Sequence, residues 1–151
     1  MRKIRLSSVL GGSFRNELER IVFFNPEQGL ITSRLVALVR RYGVPVIVDE
    51  GECLRFRVEA FGMLQTLYAL DNTEQPERLV GVAMFTRPKP SSMVVLHLAA
   101  HEDYTSRGKW SGEAVVAQLI GAIRDVSVRT RGLQILRILY PHEIRFDLRG
   151  R

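Results

Sequence analysis

Two apolar runs with a proline-rich turn between them constrain this chain more than any other feature. Residues 79–85 read Leu-Val-Gly-Val-Ala-Met-Phe and residues 93–100 read Met-Val-Val-Leu-His-Leu-Ala-Ala, with Pro88-Lys89-Pro90-Ser91-Ser92 between them. A strand with one wet face alternates apolar and polar residues. A continuous apolar strand must be covered on both faces. The two runs are therefore expected to be central strands of one sheet, joined by a loop at 88–92, with a layer packed on each side.

The segments around them supply the layers. Residues 2–9 read as a short strand, broken by Gly11-Gly12, and Ser13 stands where a helix N-cap belongs. Phe14, Leu18, Ile21 and Val22 follow at helical spacing as far as Asn25-Pro26. Thr32 or Ser33 opens a second helix, whose apolar face is Leu35, Val36, Leu38, Val39 and Tyr42 and whose stop is Gly43 with Pro45. Val44, Val46 and Val48 then alternate, as do Leu54, Phe56 and Val58 against Arg55, Arg57 and Glu59. Residues 63–70 read as a further strand and 71–77 as a polar turn. After the polar segment 101–112, Val115, Val116, Leu119, Ile120, Ile123 and Val126 define the strongest helix. Residues 133–140 form a last strand stopped by Pro141, and 142–151 read as a basic tail. Residues 1–43 are thus a helical N-terminal part, 44–140 the sheet with its core helix, and 141–151 the tail. The expected fold is one α+β domain: a meander of about four antiparallel strands, then one strand–helix–strand crossover, giving a mixed, mainly antiparallel sheet flanked by helices.

Composition limits the function classes. With 46% hydrophobic and 25% charged residues in 151, the chain is that of an ordinary folded domain. No apolar run approaches the roughly 20 residues that cross a bilayer, and one cysteine, Cys53, makes no intrachain disulfide; a cytoplasmic protein without membrane association is expected. The net charge of +6 comes from 22 cations, 19 of them arginine, against 16 acids. It is unevenly distributed: residues 1–44 sum to +5, 45–123 to −3 and 124–151 to +4. The excess lies at the two ends, and aromatic residues are only 8% with no interleaved basic–aromatic stripe, so the pattern argues against a nucleic-acid ligand. Three histidines without a cysteine cluster or a His-x-x-x-His pair give no metal site.

The chemistry-bearing stretch is 94–123. A buried strand runs into Thr105-Ser106-Arg107-Gly108-Lys109-Trp110-Ser111-Gly112, and the long helix follows. Small residues and cations before a helix N-terminus suit an anion, because exposed N–H groups and the positive end of the dipole face the same point. The same residues also suffice for a plain connection capped by Ser111. The Walker spacing is absent.

Along 54–140 this order resembles the GNAT acetyltransferase superfamily, in which strands lead to a buried strand ending in small residues, a glycine-containing loop opens a long helix, and another strand follows. Leu79-Val80-Gly81-Val82-Ala83, then Leu96-His97-Leu98-Ala99-Ala100-His101-Glu102-Asp103-Tyr104, then the loop carry the resemblance. In the family's Gln/Arg-x-x-Gly-x-Gly/Ala pattern Thr105 takes the first place, Gly108 the first glycine and Trp110 the last position; a shifted register runs from Arg107 to Gly112. The resemblance implies a GNAT-like fold, acetyl-CoA or another acyl-CoA as substrate, and acyl transfer to a small-molecule or protein amine. It assigns the backbone of Leu98, Ala99 and Ala100 to the pantetheine arm, and Thr105, Ser106, Arg107, Gly108, Lys109 and Trp110 to the pyrophosphate.

An amine must lose a proton before it attacks a thioester, so a base is required near the strand end. His97, His101, Glu102 and Glu59 are candidates, and Tyr140 or Tyr104 is available to protonate the leaving thiolate. His101, at the strand exit, and Tyr140 lead; His97, inside an apolar run, reads as a core residue. Only 11 residues follow Tyr140, fewer than the helix and strand pair the family usually adds there. That shortness and Trp110 point to the alternative, a non-catalytic regulatory or interaction module. An incomplete sheet would also leave an open edge able to pair with a second copy.

Overall fold

The computed structural model describes residues 2–23, 32–140 and 143–149. Strand β1 (Ile4–Ser7) is followed by a 3-10 turn, Gly12–Phe14, and by helices α1 (Arg15–Phe23) and α2 (Thr32–Tyr42). Then come β2 (Val46–Glu50), β3 (Cys53–Val58), β4 (Gly62–Met63), β5 (Gln65–Asp71), β6 (Arg78–Lys89) and β7 (Ser92–Ala100). Two further 3-10 turns, Glu102–Tyr104 and Ser111–Glu113, lead to α3 (Val115–Arg129), β8 (Ile135–Ile138) and β9 (Ile144–Asp147). Among the described residues the strands form a six-stranded sheet of order β1-β5-β6-β7-β8-β9 and a three-stranded sheet β2-β3-β4. Every pairing is antiparallel except β7 with β8, which α3 joins in parallel. The fold is α+β with a mixed, mainly antiparallel sheet flanked by helices.

The two apolar runs are the centre of it. β6 and β7 are buried along residues 79–84 and 93–100, because each face of the sheet carries its own core. On one face Leu18, Ile21 and Val22 of α1 meet Val82, Met84, Leu96 and Ala99, with the small sheet (Leu54, Phe56, Val58) closing the same layer. On the other, Val115, Leu119 and Ile123 of α3 meet Val80, Ala83, Val95, Leu98 and Leu136. Each fully buried aliphatic side chain contributes roughly 1.5–3 kcal/mol.

Several boundaries differ from the sequence expectation. The predicted single meander divides, because Gly62 turns the chain and β3 and β4 pair with each other in register Arg57↔Met63, apart from β5. In β2 the inward residue is Ile47, opposite the buried Phe56, while Val44 and Val46 are exposed; the valines alternate on the outer face. The predicted loop at 88–92 shrinks to Pro90-Ser91, since β6 continues to Lys89, which pairs with Ser92. The cap of the first 3-10 turn falls on Gly11, not Ser13. The α3 cap is Ala114, in the left-handed conformation at φ 49°, with no side-chain bond, so Ser111 belongs to the preceding turn and caps nothing in α3. The basic tail supplies β9, which pairs along the whole of β8. The expected open edge therefore passes from β8 to a four-residue strand carrying Arg145 and Asp147, a composition that discourages edge pairing. The stop signals Asn25-Pro26 and Pro141 lie outside the described residues.

Gly81 fixes how closely α3 approaches the sheet. A Cβ there would stand 2.6 Å from Val115 Cγ1 and 3.2 Å from Leu119 Cδ1. Gly81→Ala is expected to destabilise the protein by about 1–3 kcal/mol, read from the urea midpoint, because both contacts belong to fully buried side chains. An unchanged midpoint would show that α3 can retreat without loss.

Candidate functional site

The end of β7 is built by a change of register. Val95 pairs with Phe85 and His97 with Met84, so Leu96 has no opposite residue on β6 and forms a β-bulge. The bulge switches the pleat: Met93 and Val95 face α3 before it, and Leu98 and Ala100 face α3 after it. At the same point β8 leaves. The last parallel pair is Val95↔Ile138, and Leu139 N–H donates to Val95 O at 2.9 Å. Beyond it β7 continues with β6 alone as its registered partner through Ala100. His101 N–H donates to Val80 O on β6. By strand alternation His97 and Ala99 also turn their peptide groups to β6, and Leu98 turns its N–H and C=O to the side β8 has left.

The loop that follows is a closed structure of its own. Tyr104 N–H donates to His101 O, Gly108 N–H to Thr105 O, Trp110 N–H to Asp103 O, and Ser111 N–H to Gly108 O. Thr105 Oγ1 donates to Glu102 O at 2.8 Å. Gly108 is accounted for by this packing: a Cβ there would fall 2.3 Å from the Asp103 and Glu102 carbonyl oxygens. The amides of Gly108 and Trp110, assigned to a pyrophosphate by the resemblance, are thus occupied within the loop. Those of Arg107 and Lys109 are not among its hydrogen bonds. Ser106, Arg107 and Lys109 are exposed, Thr105 and Trp110 half-buried. Leu98, Ala99 and Ala100 are buried.

A buried acid anchors the loop from below. Asp71, 2% exposed, accepts from Arg2 Nε at 2.8 Å, from Thr73 N–H at 2.9 Å and from the Tyr104 hydroxyl. Arg2 also places its guanidinium 4.3 Å from the Trp110 ring centroid, and its N–H donates to Glu113 Oε1 at 2.8 Å. Burial by itself would raise the Asp71 carboxyl, but the bonds from Thr73, Tyr104 and Arg2 outweigh it and hold the group well below the ordinary carboxylate range. Burial and donation to Asp71 push the Tyr104 phenol up to about 12. Sequence reading assigned Asp71 to a polar turn and missed this cluster; apart from Thr73, two residues on, its partners Tyr104 and Arg2 are 33 and 69 positions away along the chain, and no local pattern signals them.

The histidines separate. His97 is 4% exposed, stacks on Tyr140 at 4.4 Å, and has no hydrogen-bond partner at Nε2 among the described residues; burial lowers its pKa to about 4. His101 is half-buried, accepts Asp103 N–H at Nδ1 (3.1 Å), and its ring partner is Tyr104, edge-on at 6.1 Å. His101 and Tyr140, paired by the resemblance, therefore engage different aromatic partners. Glu102 pairs with Arg20 at 3.2 Å, and Glu59 lies exposed in the turn after β3, against Gly43. A cavity of about 470 Å3 lies elsewhere, between the C-terminal half of α3 and Leu54, Thr66, Phe85 and Met93.

Among the described residues no three His, Cys, Asp or Glu side chains gather as metal ligands, and no helix is long and apolar enough to cross a membrane. No protein-family model, curated protein or solved structure matches the chain.

Two acid-sensitive groups follow. His97 is held neutral below its ordinary value, so its contribution is complete above pH 6.5 and is lost as pH falls toward about 4, at up to about 1.4 kcal/mol per pH unit. His97→Phe is expected to flatten that limb of the stability profile; an unchanged slope would exclude His97 as its source. Asp71 is also depressed, so its contribution is present above roughly pH 4 and is lost as the pH falls further. Asp71→Ala is expected to cost about 3 kcal/mol at neutral pH, by leaving Arg2 and Tyr104 without their acceptor, and to remove the part of the acid limb below pH 4. Urea titrations across the pH range read both.

Proposed function

We propose that the chain is a GNAT-like domain that binds an acyl-CoA across the end of β7 and the α3 loop. The observation that carries this reading is the joint placement of the Leu96 bulge and the departure of β8 at Val95. A pantetheine arm has two amides and an extended backbone, so it binds as a strand does, by hydrogen bonds along an exposed sheet edge. Leu98, itself buried between two packed layers, turns its peptide groups to the side β8 has left, so the arm would enter by parting that side. Arg107 and Lys109, exposed on the loop with amides that are not among its hydrogen bonds, are suited to the phosphates. Supporting it, the strands from β3 to β7 lead through the loop and α3 to β8, which pairs with β7 in parallel, over the stretch that carries the resemblance.

Acyl transfer on this site would have an amine nitrogen attack the thioester carbonyl, the C–S bond break, and the thiolate take a proton. His101 and Tyr140 are the groups proposed for the two proton transfers. A non-catalytic acyl-CoA sensor is the second reading. It is favoured by His101 Nδ1 being engaged by Asp103 N–H and by Tyr140 lying stacked on His97.

Calorimetry with acetyl-CoA and CoA at up to millimolar concentration tests the binding. Saturable heat and a raised melting temperature are expected, and their absence overturns the proposal. Arg107→Ala with Lys109→Ala is expected to weaken binding roughly tenfold or more while leaving the melting temperature of the free protein unchanged. Thiol release in the presence of a panel of amines separates the two readings: binding without turnover selects the sensor.

A further inference from the structure

On the opposite face of the sheet from α3, a recess of about 130 Å3 opens between α1 and the start of β6, lined by Glu17, Arg20, Ile21, Arg78, Leu79 and His101. Its charged side chains are committed, with one exception. Glu17 Oε2 accepts Leu79 N–H at 2.9 Å, which pins α1 to β6. Arg20 pairs with Glu102 at 3.2 Å. Asp103, behind the ring of His101, has Lys109 at 4.0 Å and His101 Nδ1 at 3.8 Å. Arg78 has no carboxylate within ion-pair distance among the described residues.

Arg78 instead directs a guanidinium nitrogen at His101 Nε2, 3.5 Å away. The other ring nitrogen, Nδ1, accepts the Asp103 N–H, so the neutral imidazole carries its proton on Nε2. Two donors therefore meet at the wall of a cavity with no acceptor between them. Half-buried donors without an acceptor cost free energy that a shared oxygen recovers. We infer that this recess is a binding site for the carboxylate of a small ligand, whose oxygens accept from Arg78 and from His101 Nε2–H.

Charge selects the carboxylate among oxyanions. Arg78 is the lining cation without an ion-pair carboxylate among the described residues, and the Glu17 carboxylate in the same wall, bonded only to a backbone N–H, disfavours a ligand of more than one negative charge. The planar guanidinium matches a carboxylate in two parallel bonds. The volume holds the carboxylate and a few further atoms. Burial, more than any charge, holds the His101 imidazole below its ordinary pKa; Arg78 and Arg20 act in the same direction, and Asp103 and Glu102 oppose them. A bound anion at Nε2 reverses the balance and draws the imidazole toward its protonated form. The site shares only His101 with the acyl-CoA reading: it lies on the α1 face, and none of the loop residues assigned to phosphate lines it.

Acetate is the probe. It is titrated into the full chain at neutral pH and constant ionic strength, with chloride as the balancing ion, while the ring resonances of His101 and the backbone amides of Leu79 and Asp103 are followed by NMR. Saturable shifts at those three residues and a rise in the His101 pKa with acetate are expected. Arg78→Gln is expected to weaken binding roughly tenfold or more, while Arg57→Gln, which removes an exposed cation on β3, leaves it unchanged. A response that does not saturate, or equal loss in the two variants, overturns the site. Sulfate binding as tightly as acetate overturns the assignment to a carboxylate. The acetate dependence of the His101 pKa in the unmodified protein decides the question even where Arg78→Gln fails to fold.

Discussion

The structure depends on β7 being dry on both faces. A strand in that position can accept no charge and little polarity, which is why residues 93–100 are apolar apart from His97. It also forces the rest of the chain to supply two layers. The α1 and α2 segment and the small sheet cover one face, and α3 the other. The Leu96 bulge is compatible with this only because both faces are apolar. When the pleat slips by one residue, Leu98 and Ala100 enter the α3 core where unbroken alternation would have placed His97 and Ala99, and no polar group is carried into that core. A sheet with one wet face would have exposed Leu98 at that step.

Covering β7 so completely leaves its end as the place where polar groups must be resolved. Asp71 ends β5 beside Arg78 at the start of β6, and Tyr104 reaches it from the first turn after β7. The carboxylate is stable there because several donors converge on it, one of them from the N-terminal strand region through Arg2. The same arginine stacks on Trp110 and holds Glu113, so the α3 loop is tied to β1 and β5 as well as to β7. Trp110 is consequently part of the scaffold. Its indole is half-buried beneath the Arg2 guanidinium, which fixes the ring against the loop.

How legible this was depended on the range of the interactions involved. The central strands, α1 and α3 were readable because their burial follows local periodicity: Leu119 and Ile123, or Leu54 and Phe56, are spaced as their elements demand. The phase of β2 was not, because three valines alternate as well on a dry face as on a wet one, and only pairing with Phe56 puts Ile47 inside. β9 was hidden for a related reason. Arg145 and Asp147 read as a solvated tail, and edge pairing to β8 tolerates them because one side of an edge strand remains in water. At the candidate site, the strand end and the loop were identified by position, but the hydrogen-bond commitments of Gly108, Trp110 and His101 were not. Those are set by backbone groups that approach one another only after the loop folds back on Glu102–Tyr104.

The two anion-attracting features proposed for the β7 end share one origin. Where β7 finishes, the chain turns sharply, and the charged residues that the strand excluded are gathered within the next ten positions. The sheet then divides them. Arg107 and Lys109 fall on the loop that leads to α3, in solvent, where charges are screened and their use is long-range attraction. His101 falls against α1 and Arg78, partly out of water, where an unmatched donor is costly and geometry decides what can be bound. The loop is therefore suited to recruiting a highly charged group loosely. The recess is suited to discriminating a small one, because Glu17 pins its wall to β6 and the Asp103 N–H fixes the His101 ring before any ligand arrives. Ligand sites at the carboxyl ends of strands are common in open sheets with helices on both faces. Here the bulge at Leu96 and the early departure of β8 leave β7 to project past its parallel neighbour, so that both faces of its end are lined by chain that packs against one strand pair only.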